Sequence, residues 1–315
     1  MLGTREMYGD TLVELGSENE DIVVLDSDLS SSTRTSKFGE RFPERFFNMG
    51  VSEQDMIDTA AGLAASGKIP FASTFAIFAT GRAWEMIRQS VCYPKNNVKI
   101  VATHGGITVG PDGASHQCME DIALMRVLPN MTVIVPADAH EARAAIRFAA
   151  KNRGPFYIRL ARDKFPVLYS PDLDFELGRA RVQRVGREAT IIAAGLMVHE
   201  ALKAIDLLEG QGLRVGLINM SSIKPLDRQA VLDAARTTGA IVTAEEHSIL
   251  GGLGSAVAEV LAEECPTPMR RIGVRDLFGT SGEPQALLAH YGLTAQEIAR
   301  AVGEVIGLKT GGENR

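Results

Sequence analysis

Cysteine and long apolar segments are scarce in this sequence of 315 residues. The three cysteines, Cys92, Cys118 and Cys265, are an odd number at wide spacing, which favours reduced thiols over a disulfide framework or a zinc site. No segment approaches the roughly 18 consecutive apolar residues of a transmembrane helix, and the start lacks the basic and apolar run of a signal peptide. We therefore expect a cytoplasmic protein that does not enter a membrane.

An excess of positive charge is also missing. Lys and Arg together number 33 against 39 Asp and Glu, and the formal net charge is −6. No basic stretch carries interleaved aromatic residues, so the sequence does not indicate a nucleic-acid surface. With 45% hydrophobic and 23% charged residues, the chain is long enough for two ordinary globular domains.

The sequence alternates short β-branched runs with longer segments of helical period, which predicts α/β domains with mainly parallel sheets. In a first block, the predicted strands are 21–25, 69–74, 98–103, 131–135 and 155–160, and the predicted helices are about 4–16, 53–66, 78–92, 119–127 and 138–150. A polar, turn-rich stretch at 169–178 follows. In a second block, strands recur at 189–194, 214–219, 240–244 and 270–274.

Polar residues gather where strands of the first block end, which is the edge at which open α/β sheets bind ligands. Glu53 opens a predicted helix whose next residues, such as Met56 and Ile57, are apolar. A carboxylate in such surroundings resists ionising and is suited to share a proton with a basic ring nitrogen. An ordinary first-turn glutamate favoured by the helix dipole is the alternative interpretation.

Two aromatic residues, Phe75 and Phe78, lie between a predicted strand and a predicted helix. Such rings can sandwich a flat heterocycle, or they can simply pack in the core. Farther along, His104, Asp112 and His116 share a glycine-rich loop after a strand, where glycines permit close ligand approach. These three side chains suit acid, base and hydroxyl-binding roles toward a polyol. A metal site and a plain surface turn are the alternatives, although the spacing matches no short helical metal motif.

Three arginines could bind phosphate. Arg159 and Arg162 bracket the end of a strand, and Arg5 lies at the start of the first predicted helix. Solvated surface charges are the alternative. A glycine run at 251–254 superficially resembles a dinucleotide fingerprint, but its third glycine is missing and no acidic residue follows at the expected distance. Tight strand-to-helix packing or a subunit contact is the better interpretation of that run.

Together these segments resemble the C-terminal half of transketolase over nearly the whole chain. The matching motifs are Gly3-Thr-Arg5, Asp26-Ser-Asp28-Leu-Ser-Ser-Ser32, Asn48-Met-Gly-Val-Ser-Glu53-Gln, Ser73-Thr-Phe75-Ala-Ile-Phe78, Ala102-Thr-His104, Gly110-Pro-Asp112-Gly-Ala-Ser-His116-Gln, Leu128-Pro-Asn130, Pro136-Ala-Asp138 and Arg162. The resemblance implies two doubly wound α/β domains: a thiamine-diphosphate pyrimidine-binding domain at 1–170, a linker at 171–185, and a smaller transketolase C-terminal domain at 186–310.

The resemblance also implies how the cofactor is held. Glu53 holds N1′ of the thiamine aminopyrimidine and promotes the imino form that takes the proton from the thiazolium C2. Phe75 and Phe78 match the aromatic pocket around the pyrimidine, and Asp28 matches an acidic residue close to the cofactor and the subunit contact. Gly81 departs from the pattern, because full-length transketolases carry a further pocket aromatic there.

For the substrate, the resemblance implies two groups of residues. His104 and His116 match histidines that contact donor and acceptor hydroxyls, with His116 the candidate for proton transfer, and Asp112 matches the residue that reads a substrate hydroxyl. The sugar-phosphate binding positions are matched by Arg5, Ser32 and Arg162.

A second departure concerns the diphosphate. The chain contains no Gly-Asp-Gly followed by a distant Asn, the element that binds magnesium and the diphosphate in this superfamily. The resemblance therefore implies a split transketolase, active only with an N-terminal partner chain that holds Mg²⁺ and the diphosphate, with sites between chains in an α2β2 assembly. The implied reaction transfers a two-carbon ketol unit from a ketose phosphate to an aldose phosphate.

Three other functions share this pair of domains. The β subunit of 2-oxo acid dehydrogenases acts on oxo acids and is disfavoured by the polyol-binding set, and 1-deoxyxylulose-5-phosphate synthase normally comes as one long chain. A non-catalytic regulatory subunit is disfavoured by the intact Glu53. The native sugar is open between the pentose phosphate route and specialised sugars such as apulose phosphate or a sulfonated ketose.

Overall fold

The structure, a computed structural model, describes residues 1–312 and the side chains of residues 1–309. Its strands are β1 (Leu2–Gly3), β2 (Ile22–Asp26), β3 (Phe46–Asn48), β4 (Ile69–Ser73), β5 (Lys99–Ala102), β6 (Thr132–Ile134), β7 (Phe156–Arg159), β8 (Lys164–Phe165), β9 (Arg181–Arg184), β10 (Ala189–Ala193), β11 (Val215–Asn219), β12 (Ser222–Lys224), β13 (Ile241–Ser248) and β14 (Met269–Val274).

Helices connect these strands. The α-helices are α1 (Thr4–Glu18), α2 (Ser30–Thr33), α3 (Ser36–Arg41), α4 (Glu53–Ala65), α5 (Trp84–Met86), α6 (Asp121–Arg126), α7 (Ala139–Lys151), α8 (Met197–Glu209), α9 (Arg228–Thr238), α10 (Leu253–Glu264), α11 (Pro284–His290) and α12 (Ala295–Gly312). Short 3-10 turns cover Pro43–Arg45 and Ile107–Asp112, and π-helical turns cover Phe78–Arg82 and Ile87–Cys92. In the described part of the chain, no helix is both long and apolar enough to cross a membrane.

The larger sheet has seven strands in the order β12-β6-β7-β5-β4-β2-β3. All of its neighbours pair in parallel except β12 with β6. Strands β2, β5 and β7 are buried at every position, as expected for parallel strands that are covered on both faces. Because the strands are parallel, the segments that follow β2, β4, β5 and β7 meet at one edge of the sheet.

The smaller sheet has five strands in the order β14-β13-β10-β11-β9. Four are parallel, and β9 closes one edge in the antiparallel direction. The α/β class predicted from the sequence is therefore confirmed. Strand β9 lies entirely inside the segment expected as a linker at 171–185, and the domain boundaries given above stay predictions.

The two sheets are joined by an exchanged edge strand. Strand β12 follows β11 of the smaller sheet but pairs with β6 of the larger one, with Ser222 opposite Ile134. The backbone N–H of Val135 donates to the carbonyl of Ser221 at 2.7 Å, which extends this junction. One continuous apolar core includes Val135 of the first block together with Met220 and Ile223 of the second. This packing places the smaller sheet against the loops that carry the candidate site.

Candidate active site

Glu53 is the first residue of α4, and its side chain is only 4% exposed. The burial agrees with the sequence-based expectation, but the surroundings are not purely apolar. Arg82 donates from Nη1 to both carboxylate oxygens of Glu53, at 3.1 and 3.2 Å. The Arg82 side chain itself is 51% exposed, so one face of the carboxylate is covered by a group that can move away into solvent.

Arg82 ends the π-helical turn Phe78–Arg82. A π turn accommodates one residue more than an α turn, and such turns are frequent at functional sites. Gly81 lies in this turn, and a Cβ added there would meet only the Ile77 Cδ1 atom, at 3.7 Å. Within the described residues, the chain therefore leaves the space at Gly81 open. The guanidinium of Arg82 packs over the Phe78 ring, 4.3 Å from its centroid.

The two phenylalanines form an aromatic wall with the histidines. Phe75 and Phe78 are nearly parallel, with centroids 5.8 Å apart and planes inclined by 13°. Inserting a third ring between two faces requires about 7 Å, twice a van der Waals contact of about 3.5 Å. The sandwich expected from the sequence therefore does not fit between these two rings, and a flat ligand has to pack against them. His104 stacks on Phe75 at 3.7 Å, and His116 meets Phe78 edge-on at 5.4 Å.

His104 is held in a defined and neutral state. It is 2% exposed, its backbone is left-handed with φ of 60°, and its Nδ1 lies 2.8 Å from the hydroxyl of Thr103. Burial lowers the pKa of His104 to about 3, and the nearby guanidinium groups of Arg5 and Arg162 contribute in the same direction. At neutral pH this imidazole is therefore uncharged and can donate or accept a hydrogen bond without carrying charge.

His116 and Asp112 lie at the rim of the same loop. His116 is half-buried, and its Nδ1 lies 2.9 Å from the hydroxyl of Ser115. Asp112 is exposed, and its Oδ1 lies 3.8 Å from Nη1 of Arg162, which also donates to the carbonyl of Val109. No group of three His, Cys, Asp or Glu side chains within the described residues converges as a metal site. The metal-binding alternative for this loop is therefore not supported by its geometry.

A group of guanidiniums lies beside this loop. Arg5 donates from Nη1 to the backbone carbonyl of Ser32 at 2.9 Å, so the contact does not involve the serine hydroxyl. The backbone N–H of Ala161 donates to the hydroxyl of Thr4 at 3.0 Å, which brings the neighbourhoods of Arg5 and Arg162 together. Burial lowers the pKa of Arg5, and the positive charges of Arg34 and Arg162 contribute in the same direction.

Arg34 belongs to this group, although no motif in the sequence singles it out. Its Nη2 lies 3.3 Å from Oε1 of Glu6, and Nε of Arg5 lies 3.6 Å from the same oxygen. Glu6 thus links the two guanidiniums. The Nε atoms of both arginines are buried without a hydrogen-bond partner in the structure. Unpaired buried donors of this kind are what an anionic group would satisfy.

Asp26 begins one of the matching motifs, but no role was assigned to it from the sequence; in the structure it holds the segment that carries Ser32 and Arg34. This buried carboxylate accepts hydrogen bonds from the N–H of Leu29 at 2.6 Å and from the hydroxyls of Thr33 at 2.7 Å and Thr35 at 2.8 Å. Burial raises the pKa of Asp26. The sequence places an acidic residue at the end of an apolar strand, and that position is typical of a buried carboxylate that caps the following loop.

Asp28 stands apart from the buried group. It is exposed, its backbone has a φ of 61°, and its Oδ1 accepts a hydrogen bond from Nδ2 of Asn48 at 3.0 Å. Its side chain therefore lies at the surface, beside the carboxyl ends of β2 and β3.

Arg159 and the glycine run near α10 both have structural roles. Arg159 is neither a phosphate ligand nor a solvated charge: it is 6% exposed and donates from Nε to Asp121 at 2.8 Å. The phosphate hypothesis for this residue was wrong because its guanidinium is buried against Asp121 and the backbone carbonyl of Glu246. The glycine run reflects tight packing, since Glu245 accepts from the N–H groups of Leu253 and Gly254 and fills the helix N-terminus.

Comparison with known proteins shows that two described families match this chain. Residues 1–167 match the family described as "Transketolase, pyrimidine binding domain", and residues 178–298 match "Transketolase, C-terminal domain". The chain belongs to the transketolase family. Thiamine diphosphate is the cofactor typical of this family. A buried carboxylate at a helix start and a wall of aromatic rings beside it are groups that fit an aminopyrimidine ring.

Individual relatives match the chain over nearly its whole length. A protein of Methanocaldococcus jannaschii with the provisional name transketolase C-terminal section is 50% identical, over 96% of this chain and 96% of the relative. A 6-deoxy-6-sulfo-D-fructose transketolase subunit of Clostridium sp. is 46% identical, over 96% and 94%. A solved structure described as "Split gene transketolase, inactive beta4 tetramer" is 58% identical, with a TM-score of 0.92 over 98% of this chain and 100% of that one. The chain is thus similar to transketolase subunits, and transferase chemistry is the general activity of its family.

Proposed function

We propose that this chain is the C-terminal subunit of a split thiamine-diphosphate-dependent transketolase that moves a two-carbon ketol unit from a ketose phosphate to an aldose phosphate. The observation that carries the proposal is one sheet edge that holds three kinds of group together. These are the buried carboxylate of Glu53, the aromatic wall of Phe75 and Phe78, and the histidine loop, which carries His104, Asp112 and His116. The guanidiniums of Arg5 and Arg162 lie beside that loop.

On the cofactor side, the Glu53 carboxylate would accept a hydrogen bond from the protonated N1′ of the aminopyrimidine, and Phe75 and Phe78 would pack against the ring. Arg82 covers the carboxylate from the solvent side, so it has to leave Glu53 when the pyrimidine binds. Asp28 lies close to the bound cofactor and the subunit contact in this proposal. Bound thiamine diphosphate supplies the electron sink for the two-carbon unit.

On the substrate side, the neutral imidazole of His104 forms a hydrogen bond with a sugar hydroxyl, and the Asp112 carboxylate accepts a hydrogen bond from a second hydroxyl. His116 transfers a proton, because it is the more accessible of the two histidines and lies at the edge of both phenyl rings. The phosphate binds among Arg5, Ser32 and Arg162. The proposal draws support from Nε of Arg5, which is buried without a hydrogen-bond partner among the described residues, and from the hydrogen bond between Thr4 and Ala161 that brings the neighbourhoods of Arg5 and Arg162 together.

A partner chain completes the site in this proposal. An N-terminal transketolase subunit holds Mg²⁺ and the diphosphate, and two copies of each chain form an α2β2 assembly in the cytoplasm. Support comes from the Clostridium relative, which is named as a subunit, and from the similar solved structure, which is an inactive tetramer of β chains.

A pentose phosphate and a sulfonated ketose both carry a distal anion that suits a cluster of guanidiniums. The name of the Clostridium relative favours testing a sulfonated ketose beside the pentose phosphates. A synthase of the 1-deoxyxylulose-5-phosphate type, a 2-oxo acid dehydrogenase β subunit and a non-catalytic regulatory subunit are the alternative functions.

The test is ketol transfer from xylulose 5-phosphate to ribose 5-phosphate, with thiamine diphosphate and Mg²⁺. The chain is assayed alone and mixed with the product of its neighbouring gene, and the assay is repeated with 6-deoxy-6-sulfofructose as donor. Activity only in the mixture supports the proposal, and the better donor identifies the sugar. Activity of the chain alone would overturn the need for a partner, and silence with every donor would favour a non-catalytic subunit.

A further inference from the structure

The loop that carries His104, Asp112 and His116 rests on the second block of the chain. Glu246, in β13, is 3% exposed and accepts a hydrogen bond from the backbone N–H of Thr108 at 2.7 Å. A Cβ added at Gly106 would lie 2.3 Å from the Glu246 carboxyl group, so the loop backbone lies directly on this carboxylate.

A second contact fastens the far side of the same loop. Gln117 donates from Nε2 to the carbonyl of Thr280 at 2.9 Å and to the carbonyl of Ile107 at 3.1 Å. A Cβ added at Gly113 would lie 2.4 Å from the hydroxyl of Ser281. The loop is therefore held at Thr108 by β13 and at its other end by the segment before α11.

Glu246 is itself held rigidly. Arg159 donates from Nη2 to the backbone carbonyl of Glu246 at 2.8 Å and from Nε to Asp121 at 2.8 Å. This guanidinium lies close enough to the Glu246 carboxyl to oppose the rise in pKa that burial causes. A carboxyl oxygen fixed in this way is a preorganised acceptor for the backbone N–H of Thr108.

His104 needs such support because its left-handed backbone is unfavourable for a residue with a side chain. Conformations of this kind persist only where the surrounding structure enforces them. Thr108 is four residues further along the loop, and releasing its N–H would let the loop relax toward ordinary backbone angles. The substrate-facing side chains would then lose their common geometry.

We propose that Glu246 is a positioning residue for substrate recognition, through which the second block holds His104, Asp112 and His116 in place. Glu246 contacts no substrate in this proposal, and it acts through the backbone of Thr108. The inference rests on the proposed function for its kinetic consequence, but its structural consequence is independent of any activity.

The variant to make is Glu246→Ala, and its matched control is Glu245→Ala. Glu245 is the preceding residue of the same strand and is also buried, but it bonds the N–H groups of α10. In the complex with the partner subunit, we expect Glu246→Ala to raise the KM for ribose 5-phosphate about tenfold and to lower kcat as well, because His116, the proposed proton-transfer residue, lies in the same loop. The KM for glycolaldehyde, an acceptor with no hydroxyls beyond the second carbon, should stay the same. Glu246→Gln keeps an acceptor oxygen and should restore most of the KM.

Amide hydrogen exchange on the chain provides the second measurement. Glu246→Ala should speed the exchange of the amides of residues 105–113 and leave the amides of residues 251–256 protected. Glu245→Ala should speed the exchange of 251–256 and leave 105–113 protected. Equal KM values for Glu246→Ala and the unsubstituted protein, or unchanged protection of the Thr108 amide, would overturn the proposal. If the unsubstituted complex shows no ketol transfer, the proposed function fails, while the exchange data still decide whether Glu246 positions the loop.

Discussion

Nη1 of Arg82 lies 3.1 and 3.2 Å from the two carboxylate oxygens of Glu53, and the same guanidinium packs 4.3 Å from the centroid of Phe78. The arginine therefore occupies the two surfaces that the proposal assigns to the aminopyrimidine. Because the Arg82 side chain is half-exposed, it can leave without disrupting the core. Cofactor binding thus becomes an exchange of one partner of Glu53 for another.

Glu53→Ala should abolish ketol transfer and leave the fold intact, because the carboxylate bonds one exposed arginine and no buried partner among the described residues. Turnover of the reconstituted complex and the circular dichroism of the chain measure the two effects. Asp55→Ala, in the first turn of the same helix, is the matched control and should keep its activity. Near-normal turnover of Glu53→Ala would rule out the proposed mechanism.

Arg82→Ala should tighten thiamine diphosphate binding to the reconstituted complex. An ion pair with an exposed partner is worth about 0.2–1 kcal/mol, and removing the competitor should lower the Kd by up to about fivefold. Titration calorimetry measures this change, and Arg82→Lys should lie between the two. A weaker affinity in Arg82→Ala would mean that the arginine assists the bound cofactor instead of competing with it.

Arg162→Ala and Arg34→Ala should both weaken the apparent affinity for phosphorylated donors. A charge-assisted hydrogen bond contributes about 1.5–3 kcal/mol, which corresponds to a KM increase of about tenfold or more for each variant. Hydroxypyruvate, a donor without a phosphate, should be unaffected, and this comparison separates anion binding from a general loss of structure. Arg41→Ala, in α3 outside the cluster, serves as the control.

An unchanged KM in Arg162→Ala would contradict the phosphate site as a whole. An unchanged KM in Arg34→Ala alone would restrict the site to Arg5 and Arg162. Increasing the salt concentration should reduce the difference between the variants and the unsubstituted protein, since screening weakens the Coulombic part of the interaction.

His104 should make the free energy of unfolding depend on pH. Its pKa is about 3 in the folded protein and about 6.5 in the unfolded chain, so the unfolded state binds more protons between these values. Stability therefore falls as the pH drops from about 6.5 toward 3 and is unaffected by this group above about 7. The slope is at most about 1.4 kcal/mol per pH unit.

The measurement is urea unfolding of the chain and of His104→Gln between about pH 4 and about pH 8, a range that spans the expected loss of stability. The variant lacks the titrating group, so its stability relative to the unsubstituted chain should improve as the pH falls. Parallel pH curves for the two proteins would contradict the assignment of a neutral, buried imidazole.

Much of the fold was accessible from the amino-acid pattern. Strands β2, β4, β5, β7, β10 and β11 were predicted to within a residue or two, because each is a largely buried run of four or five residues. Strand β14 was predicted equally well, although only its second half is buried. Strands β1, β3, β8, β9 and β12 were missed: four of them have only two or three residues, too few to show a period, and β9 lies in the segment expected as a linker. The π-helical turn at Phe78–Arg82 was missed because its pattern is that of an ordinary helix.

The residues proposed to hold the pyrimidine and the sugar were selected by their position at strand ends and by the resemblance. The sequence could not reveal the partners of those residues. Arg82 meets Glu53 across 29 positions, Arg34 meets Glu6 across 28, and Glu246 meets Thr108 across 138. Such contacts depend on how loops are folded over a sheet edge, and no local pattern encodes them.

By itself, the amino-acid sequence determined the α/β class, the order of most strands and helices, and the motifs that resemble transketolase, because these depend on local period and on residue identity. Only the tertiary structure decided which charges are paired. In the folded chain, Arg159 is buried against Asp121, Arg82 pairs with Glu53, and the backbone of the histidine loop donates a hydrogen bond to Glu246. The physical reason is that the cost of burying a charge is set by its neighbours in space, and chain folding alone brings those neighbours together.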